Sequence, residues 1–290
     1  MSAAVTAYGL WGLLPIYFKW LHDVPPVEIV AQRILWSLLL VVIVILARTG
    51  PGPLLAVLRA PRLMLALATS ALLIGTNWIS YIWAVHQGHV VAASLGYFLN
   101  PLVSVALGVV VLKERLRRGQ VAALIVAALG VALLGTAALD TLWISVVLAL
   151  SFALYGLVRK LTPVPPMPGL GAETLLLAPL ALGWLAFSSM EGTVAFGGDG
   201  LTTALLIGSG LVTTVPLLLF AVAARRLPMA MLGLLQYLAP TMQFLCGVLL
   251  FGETLNRGQL ISFCLVWLGL ILFAVDSLRA ARRNRAPPAA

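Results

Sequence analysis

The stretch SLGYFLNPLVSVALG, residues 94–108, decides the fold because it recurs in the same register 139 residues further along the chain. The second copy is MLGLLQYLAPTMQFLCG, residues 231–247. Both copies place a proline and polar residues in what should be a continuous apolar helix. A gap-free register of this length predicts a duplicated structural unit. Identical residues include Leu95 and Leu234, Leu99 and Leu238, Pro101 and Pro240, Gly108 and Gly247, Glu114 and Glu253, and Gly130 and Gly269.

The composition identifies the medium that surrounds these copies. Of the 290 residues, 62% are hydrophobic and 9% are charged, whereas a typical soluble domain has about 25% charged residues. Mean hydropathy is +1.08. A surface that faces water cannot be built from this composition, so the predicted fold is an all-α integral membrane protein. Ten apolar stretches are predicted to span the membrane, at 3–21, 28–47, 63–86, 90–112, 119–138, 141–158, 171–190, 201–224, 228–251 and 258–277.

The basic residues set the orientation of these spans. If the N-terminus lies in the cytoplasm, fifteen of the eighteen Lys and Arg residues fall in cytoplasmic segments, and the outer loops hold only Arg257. An excess of basic residues in short loops is typical of the cytoplasmic side of a membrane protein. We therefore expect both termini in the cytoplasm. The net charge of +9 then follows from topology, and no nucleic-acid partner is expected.

The duplicated unit contains an odd number of spans, so its two copies are predicted to cross the membrane in opposite senses. The first five-helix repeat covers residues 1–138 and the second covers 139–277, followed by a basic cytoplasmic tail at 278–290. The cytoplasmic loop KERLRRG becomes GETLNRG in the second copy and loses most of its basic residues, as the opposite side of the membrane requires. Inverted repeats often mark transporters that alternate access between the two sides.

Polar side chains recur at helical spacing on the fourth span and at equivalent positions on the ninth. Polar groups inside hydrocarbon are costly unless they face a bundle interior or a water-filled cavity. We therefore predict that these side chains line a central cavity; hydrogen bonds that only join helices are the alternative. The predicted lining residues of these two spans are Tyr97, Asn100, Ser104, Gln236, Tyr237 and Gln243.

The prolines of the two copies, Pro101 and Pro240, are predicted to kink their helices. Proline lacks a backbone N–H and clashes with the preceding turn, so each one frees carbonyl groups near Tyr97 and Gln236. The freed carbonyls would bind a solute, or the kink would act as a hinge. A static bend that improves packing is an equally simple interpretation.

Further candidate site residues lie in the first three spans. Trp11, Asn77, Trp78 and Tyr81 would suit a cavity for a flat or amphipathic organic solute. Lys19 and Arg33 are the basic residues placed within spans, each close to an outer end. They either extend to the interface or attract an anionic group of the solute.

The sequence offers no pattern typical of catalysis or of cofactor binding. No nucleophile motif and no P-loop occur, and His86 and His89 have no third metal ligand nearby, so no metal and no cofactor are expected. We also expect no carboxylate in the middle of a span, although such a carboxylate is the usual sequence signature of a proton-coupled pump. The proton is therefore a candidate coupling ion that this signature does not support. The preferred hypothesis is a secondary transporter of a small molecule, in contact with membrane lipid, as a monomer or a homodimer. An integral membrane enzyme acting on lipid-linked substrates and a channel are the alternatives.

Several long motifs resemble those of one known family. They are NWISYIWAVHQGHVVAASLGYFLNPLVSVALG at 77–108, RILWSLLL at 33–40, VPLLLFAVAARRLPMAMLGLLQYLAPTMQF at 215–244 and FGETLNRGQLISF at 251–263. These motifs resemble the RarD-type branch of the drug/metabolite transporter superfamily, whose repeat unit is the EamA domain. The resemblance implies ten helices as two inverted EamA repeats and a bacterial inner-membrane location. It also implies transport of an amino-acid-like, aromatic or amphenicol-type compound through a central cavity.

Overall fold

The computed structural model describes residues 1–87, 90–135, 142–250 and 257–283. Within these ranges all regular structure is helical, in agreement with the all-α prediction. A π-helical turn, Cys246–Leu250, directly follows the twelfth α-helix. The α-helices are α1 (Ser2–Gly12), α2 (Leu14–Lys19), α3 (Pro26–Arg48), α4 (Gly52–Leu58), α5 (Pro61–His86), α6 (Val90–Val110), α7 (Arg118–Gly135), α8 (Leu142–Leu161), α9 (Pro166–Met190), α10 (Gly200–Arg226), α11 (Met229–Gln236), α12 (Leu238–Leu245) and α13 (Arg257–Arg283).

Proline and a capping aspartate mark where several long helices begin. Pro26, Pro61 and Pro166 are the first residues of α3, α5 and α9. Proline is tolerated at this position because the backbone N–H that it lacks would have no hydrogen-bond partner within the helix. The Asp199 carboxylate accepts a hydrogen bond of 2.8 Å from the backbone N–H of Thr202 and so caps α10. Because of these local signals, the helices begin near the points where the apolar stretches begin.

In the part of the chain that the structure describes, five helices are long and apolar enough to cross a membrane, judged by length and composition. They are α3, α8, α9, α10 and the Pro61–Tyr81 part of α5, with mean hydropathy from 1.5 to 2.5. Shorter apolar stretches lie within α6, α7 and α13. Each of the ten predicted spans contains at least one helix of the described chain. The protein is therefore a multi-pass membrane protein, and the count of ten spans stays a prediction.

The helix α4 lies between the second and third predicted spans, where the sequence analysis predicted no helix. Pro51 and Pro53 favour a helix start, and the apolar run LLAVL that follows can bury one face. Val57 is 5% exposed and packs in a cluster with Leu67 and Ala172. This contact stabilises α4, which is too short to be stable on its own.

The two predicted kinks differ in the structure. The helix α6 continues through Pro101, from Val90 to Val110. At the equivalent place α11 ends at Gln236, α12 begins at Leu238, and Pro240 lies in the first turn of α12. The Pro101 carbonyl lies against Gly233, where an added Cβ would approach it to 2.7 Å. Pro240 instead lines a cavity, so no packed helix supports the chain on that side.

Helices from residues 1–135 pack against helices from residues 142–283. The helix α5 begins at residue 61 and α10 begins at residue 200, 139 residues later. Helices at equivalent positions of the 139-residue sequence register pack on each other: α3 on α9, α6 on α11 and α7 on α13. Of these helices, α3, α6 and α11 also line a cavity.

Candidate functional site

A cavity of about 370 Å³ lies between the two halves of the chain. Its volume is in the range of sites that bind small organic molecules. The first half supplies most of the wall through α1, α2, α3, α5 and α6, and the second half adds α8, α10, α11 and α12. Its lining residues are Tyr8, Trp11, Leu14, Pro15, Phe18, Leu21, His22, Val24, Pro26, Ile29, Val30, Arg33, Ile74, Asn77, Trp78, Tyr81, Tyr97, Asn100, Phe152, Leu217, Gln236, Ala239, Pro240 and Gln243.

The lining residues differ in exposure. His22, between α2 and α3, lines the cavity with a side chain that is 72% exposed. The lining residues Tyr8 and Leu217 are, in contrast, fully or almost fully buried. The cavity therefore reaches the surface beside the segment between α2 and α3.

Five aromatic rings form a cluster, and Tyr8, Trp11 and Phe152 of this cluster line the cavity. The rings of Trp11 and Phe152 are 5.6 Å apart, edge to face, and Phe220 stacks on Tyr155 at 5.8 Å. Tyr8 joins them and donates a hydrogen bond of 3.2 Å to the Leu232 carbonyl. Because these rings come from α1, α8 and α10, the aromatic cluster joins the first part of the chain to the second.

Most of the predicted site residues meet at this cavity. Two of the predicted residues, Ser104 and Tyr237, are buried but absent from the lining. The Ser104 side chain packs against Gly233 of α11, and Tyr237 packs in the core beside Phe98. Both therefore join helices and do not line the cavity. The predicted residues that do line it are Trp11, Asn77, Trp78, Tyr81, Tyr97, Asn100, Gln236, Gln243, Arg33 and Pro240.

The amide side chains of the lining fall into two groups. Asn77 donates to the Leu148 carbonyl at 2.9 Å and to the Ser151 hydroxyl at 3.0 Å, so it ties α5 to α8. Gln243 donates to the Trp11 carbonyl at 3.1 Å. Neither amide atom of the fully buried Asn100 has a hydrogen-bond partner. Buried polar atoms are almost always hydrogen-bonded, so Asn100 is suited to bind a ligand.

The two basic candidates are placed differently. Lys19 is at the end of α2 and does not line the cavity. Arg33 of α3 lines it, and its Nε donates a hydrogen bond of 2.6 Å to the Thr213 hydroxyl. Its guanidinium carbon lies 5.2 Å from the ring centroid of Trp78 and 5.5 Å from that of Phe18. The Arg33 side chain therefore points into the cavity and does not extend to the membrane interface.

Glu173 is a buried carboxylate near the start of a predicted span, and the sequence analysis did not single it out. It lies two turns inside α9, is 2% exposed, and pairs with Arg159, in the last turn of α8, at 3.5 Å. The Ser70 hydroxyl also donates to it, and the Arg159 guanidinium runs over Gly169, where there is no room for a Cβ. A sequence signal existed, since Glu173 lies within one predicted span and Arg159 directly follows another. None of these residues lines the cavity.

The sequence analysis also missed several residues that line the cavity. Tyr8, Phe18 and Phe152 line the cavity but carried no polar signal. His89 lies outside the described residues, and within the described ranges no group of three metal-ligating side chains occurs.

Comparison with known proteins identifies the family. The sequence profile of the EamA-like transporter family matches residues 1–136 and 141–275. An uncharacterized transporter of Pseudomonas aeruginosa is 46% identical over 98% of this chain and 95% of its own. Protein RarD of Escherichia coli is 40% identical over 97% and 95%. One crystal structure, 22% identical, superposes with a TM-score of 0.73 over 93% of this chain and 95% of its own, which shows the fold alone. The chain therefore belongs to the EamA-like transporter family of the drug/metabolite transporter superfamily, as a RarD-type member.

Proposed function

We propose that this protein is a secondary transporter that moves a small organic solute across the bacterial inner membrane by alternating access of two inverted repeats. The observation that carries the proposal is Asn100, whose amide is fully buried and unpaired in the wall of the cavity. Buried polar atoms are almost always hydrogen-bonded, so a solute in the cavity would complete the hydrogen bonds of this amide. The proposed solute is amino-acid-like, aromatic or amphenicol-type.

The repeat interpretation is supported by the 139-residue offset between the starts of α5 and α10 and by the packing of α3 on α9, α6 on α11 and α7 on α13. The two five-helix units would be residues 1–138 and 139–277. Movement of one unit against the other would change which end of the shared cavity is open.

The contrast between the exposed His22 and the buried rings of Tyr8 and Phe220 supports alternating access. If both termini are cytoplasmic, the side of the cavity beside His22 would face the outside and the aromatic cluster would lie toward its inner, cytoplasmic end. Cytoplasmic termini are favoured by the basic residues at the ends of α3, α8 and α10. Separation of the rings on α1 from those on α8 and α10 would then open the inner end.

Reconstituted vesicles test this function. Purified protein in proteoliposomes should exchange a radiolabelled solute from a panel of aromatic amino acids, aromatic carboxylates and amphenicols, with saturable kinetics. Asn100→Ala and Gln236→Ala should each weaken binding roughly tenfold, because each removes a polar partner of the solute. Gln120→Ala is the matched control, since Gln120 accepts a hydrogen bond from the Arg117 backbone away from the cavity.

The same vesicles separate the alternatives. Flux that never saturates would favour a channel, and a chemically altered product recovered from the vesicles would favour an enzyme. Normal binding in both cavity variants would contradict the assignment of the cavity. An imposed pH gradient that drives accumulation would identify a proton as the coupling ion.

A further inference from the structure

We propose that the solute is a monoanionic aromatic carboxylate, and that Arg33 binds its carboxylate group. This inference rests on the proposed function, because it names the solute class of the same cavity.

The guanidinium of Arg33 is held in place, but only part of its hydrogen-bonding capacity is used. Its Nε is occupied by the Thr213 hydroxyl, at 2.6 Å. Its two Nη groups have no hydrogen-bond partner in the described part of the chain, although Arg33 lines the cavity. A guanidinium presents donors in a fixed fork that matches a carboxylate. The Nη groups therefore offer the geometry that a carboxylate requires.

The electrostatic surroundings favour a negative solute. None of the residues that form the described lining is Asp or Glu. The nearest acid on the same helix, Glu28, is fully buried and accepts hydrogen bonds of 2.9 Å from the backbone N–H groups of Ala195 and Phe196. Asp23 pairs with His22 at the exposed mouth. The positive charge of Arg33 is thus left for the solute to neutralise, in a site where water screens it weakly.

The same charges disfavour the other solutes of this size. The ammonium of a zwitterion would enter a cavity that already holds a guanidinium and has no described carboxylate to receive it. A neutral compound would leave Arg33 uncompensated. A phosphate monoester carries nearly two negative charges, and a single guanidinium balances one. A single carboxylate is the group that fits.

The aromatic part of the solute is inferred from the remaining lining. The rings of Trp11 and Phe152 line the cavity and contact each other edge to face, and Trp78 and Phe18 flank Arg33. Offset and edge-to-face arrangements of aromatic rings are favourable beyond the area that they bury. The carboxylate would therefore lie at Arg33 while the ring extends toward Trp11.

A set of compounds with one shared ring tests the charge requirement. Purified wild-type protein is titrated with 3-phenylpropionate, phenylalanine, phenethylamine, 3-phenylpropionamide and phenyl phosphate, and binding is measured by thermal shift and tryptophan fluorescence. We expect 3-phenylpropionate to bind tightest. Arg33→Gln should weaken its binding by about 10- to 100-fold, and Arg33→Lys should weaken it less because the charge remains. Arg48→Gln, on the exposed end of the same helix, should bind as the wild type does.

Each result decides the proposal. Equal or tighter binding of phenylalanine or the amide, or unchanged affinity in Arg33→Gln with a wild-type melting profile, would overturn the anion assignment. Tighter binding of phenyl phosphate would overturn the carboxylate. Absence of binding by all five compounds would also overturn it. The proposed function would survive any of these outcomes if the vesicle assay still showed saturable exchange of another solute.

Discussion

Arg33 and Arg159 both lie inside membrane-spanning helices, yet the protein balances the charge of only one. Arg159 pairs with Glu173 at 3.5 Å, and the side chains are 1% and 3% exposed. Arg33 has a hydroxyl and two aromatic rings as neighbours and, in the described ranges, no carboxylate. The comparison teaches that a charge enclosed by packed helices is neutralised by the protein, whereas a charge at the cavity is left available to a solute.

The energetic consequences of removing each charge should therefore differ in size. Removing one member of a buried pair leaves the other uncompensated in a medium that solvates it poorly. Removing a charge that has no ionic partner eliminates an existing cost. The two arginines can be distinguished by stability measurements alone, without knowledge of the solute.

The largest expected effect is that of Glu173→Gln. The substitution keeps the shape of the side chain but leaves the guanidinium of Arg159 without a counter-charge, so the free energy of unfolding should fall by about 3–5 kcal/mol. The loss should appear as a lower thermal midpoint of the purified protein in detergent. The double variant Arg159→Met with Glu173→Leu should recover most of the loss, because apolar residues of similar size can replace a buried pair. A midpoint like that of the wild type in Glu173→Gln would show that the pair adds no stability.

The all-α membrane fold could be predicted because its signals are local in sequence: the length of each apolar stretch requires only neighbouring residues. The orientation from the basic loops and the repeat from the 139-residue register stay predictions. The helix α4 was missed because seven residues are too few for a periodic pattern, and its stability comes from a tertiary contact of Val57.

The cavity was predictable in outline, since residues on one helix face point in the same direction. Whether a given residue lines the cavity or packs against another helix was not predictable, because it depends on what lies opposite that residue. Ser104 meets Gly233, while Asn100, one turn earlier, meets empty space. Pro101 and Pro240 are equivalent in sequence, yet only Pro240 faces the cavity beside a helix break.

A smaller effect is expected for the stability of Arg33→Met. The variant loses a hydrogen bond to Thr213 and contacts with two rings, but it also removes a charge without an ionic partner. These contributions are of similar size, so the thermal midpoint should stay within the equivalent of about 1 kcal/mol. The same variant should bind 3-phenylpropionate poorly. A loss of stability as large as that of Glu173→Gln would remove the distinction between the two arginines.

The smallest effect is expected at Asp199, a charge in water that extends the comparison beyond the membrane. The Thr202 backbone N–H lowers the pKa of this exposed carboxyl below its usual value of about 3.9. The cap therefore stabilises the folded state fully above that value, and its contribution disappears as pH falls through the lower, folded pKa. Asp199→Ala should lower the thermal midpoint slightly at neutral pH and converge with the wild type in acid. Glu191→Ala, which removes another exposed acid but no N-cap, is the control. A difference between Asp199→Ala and wild type that persisted at the lowest pH would show that the carboxylate charge does not stabilise α10.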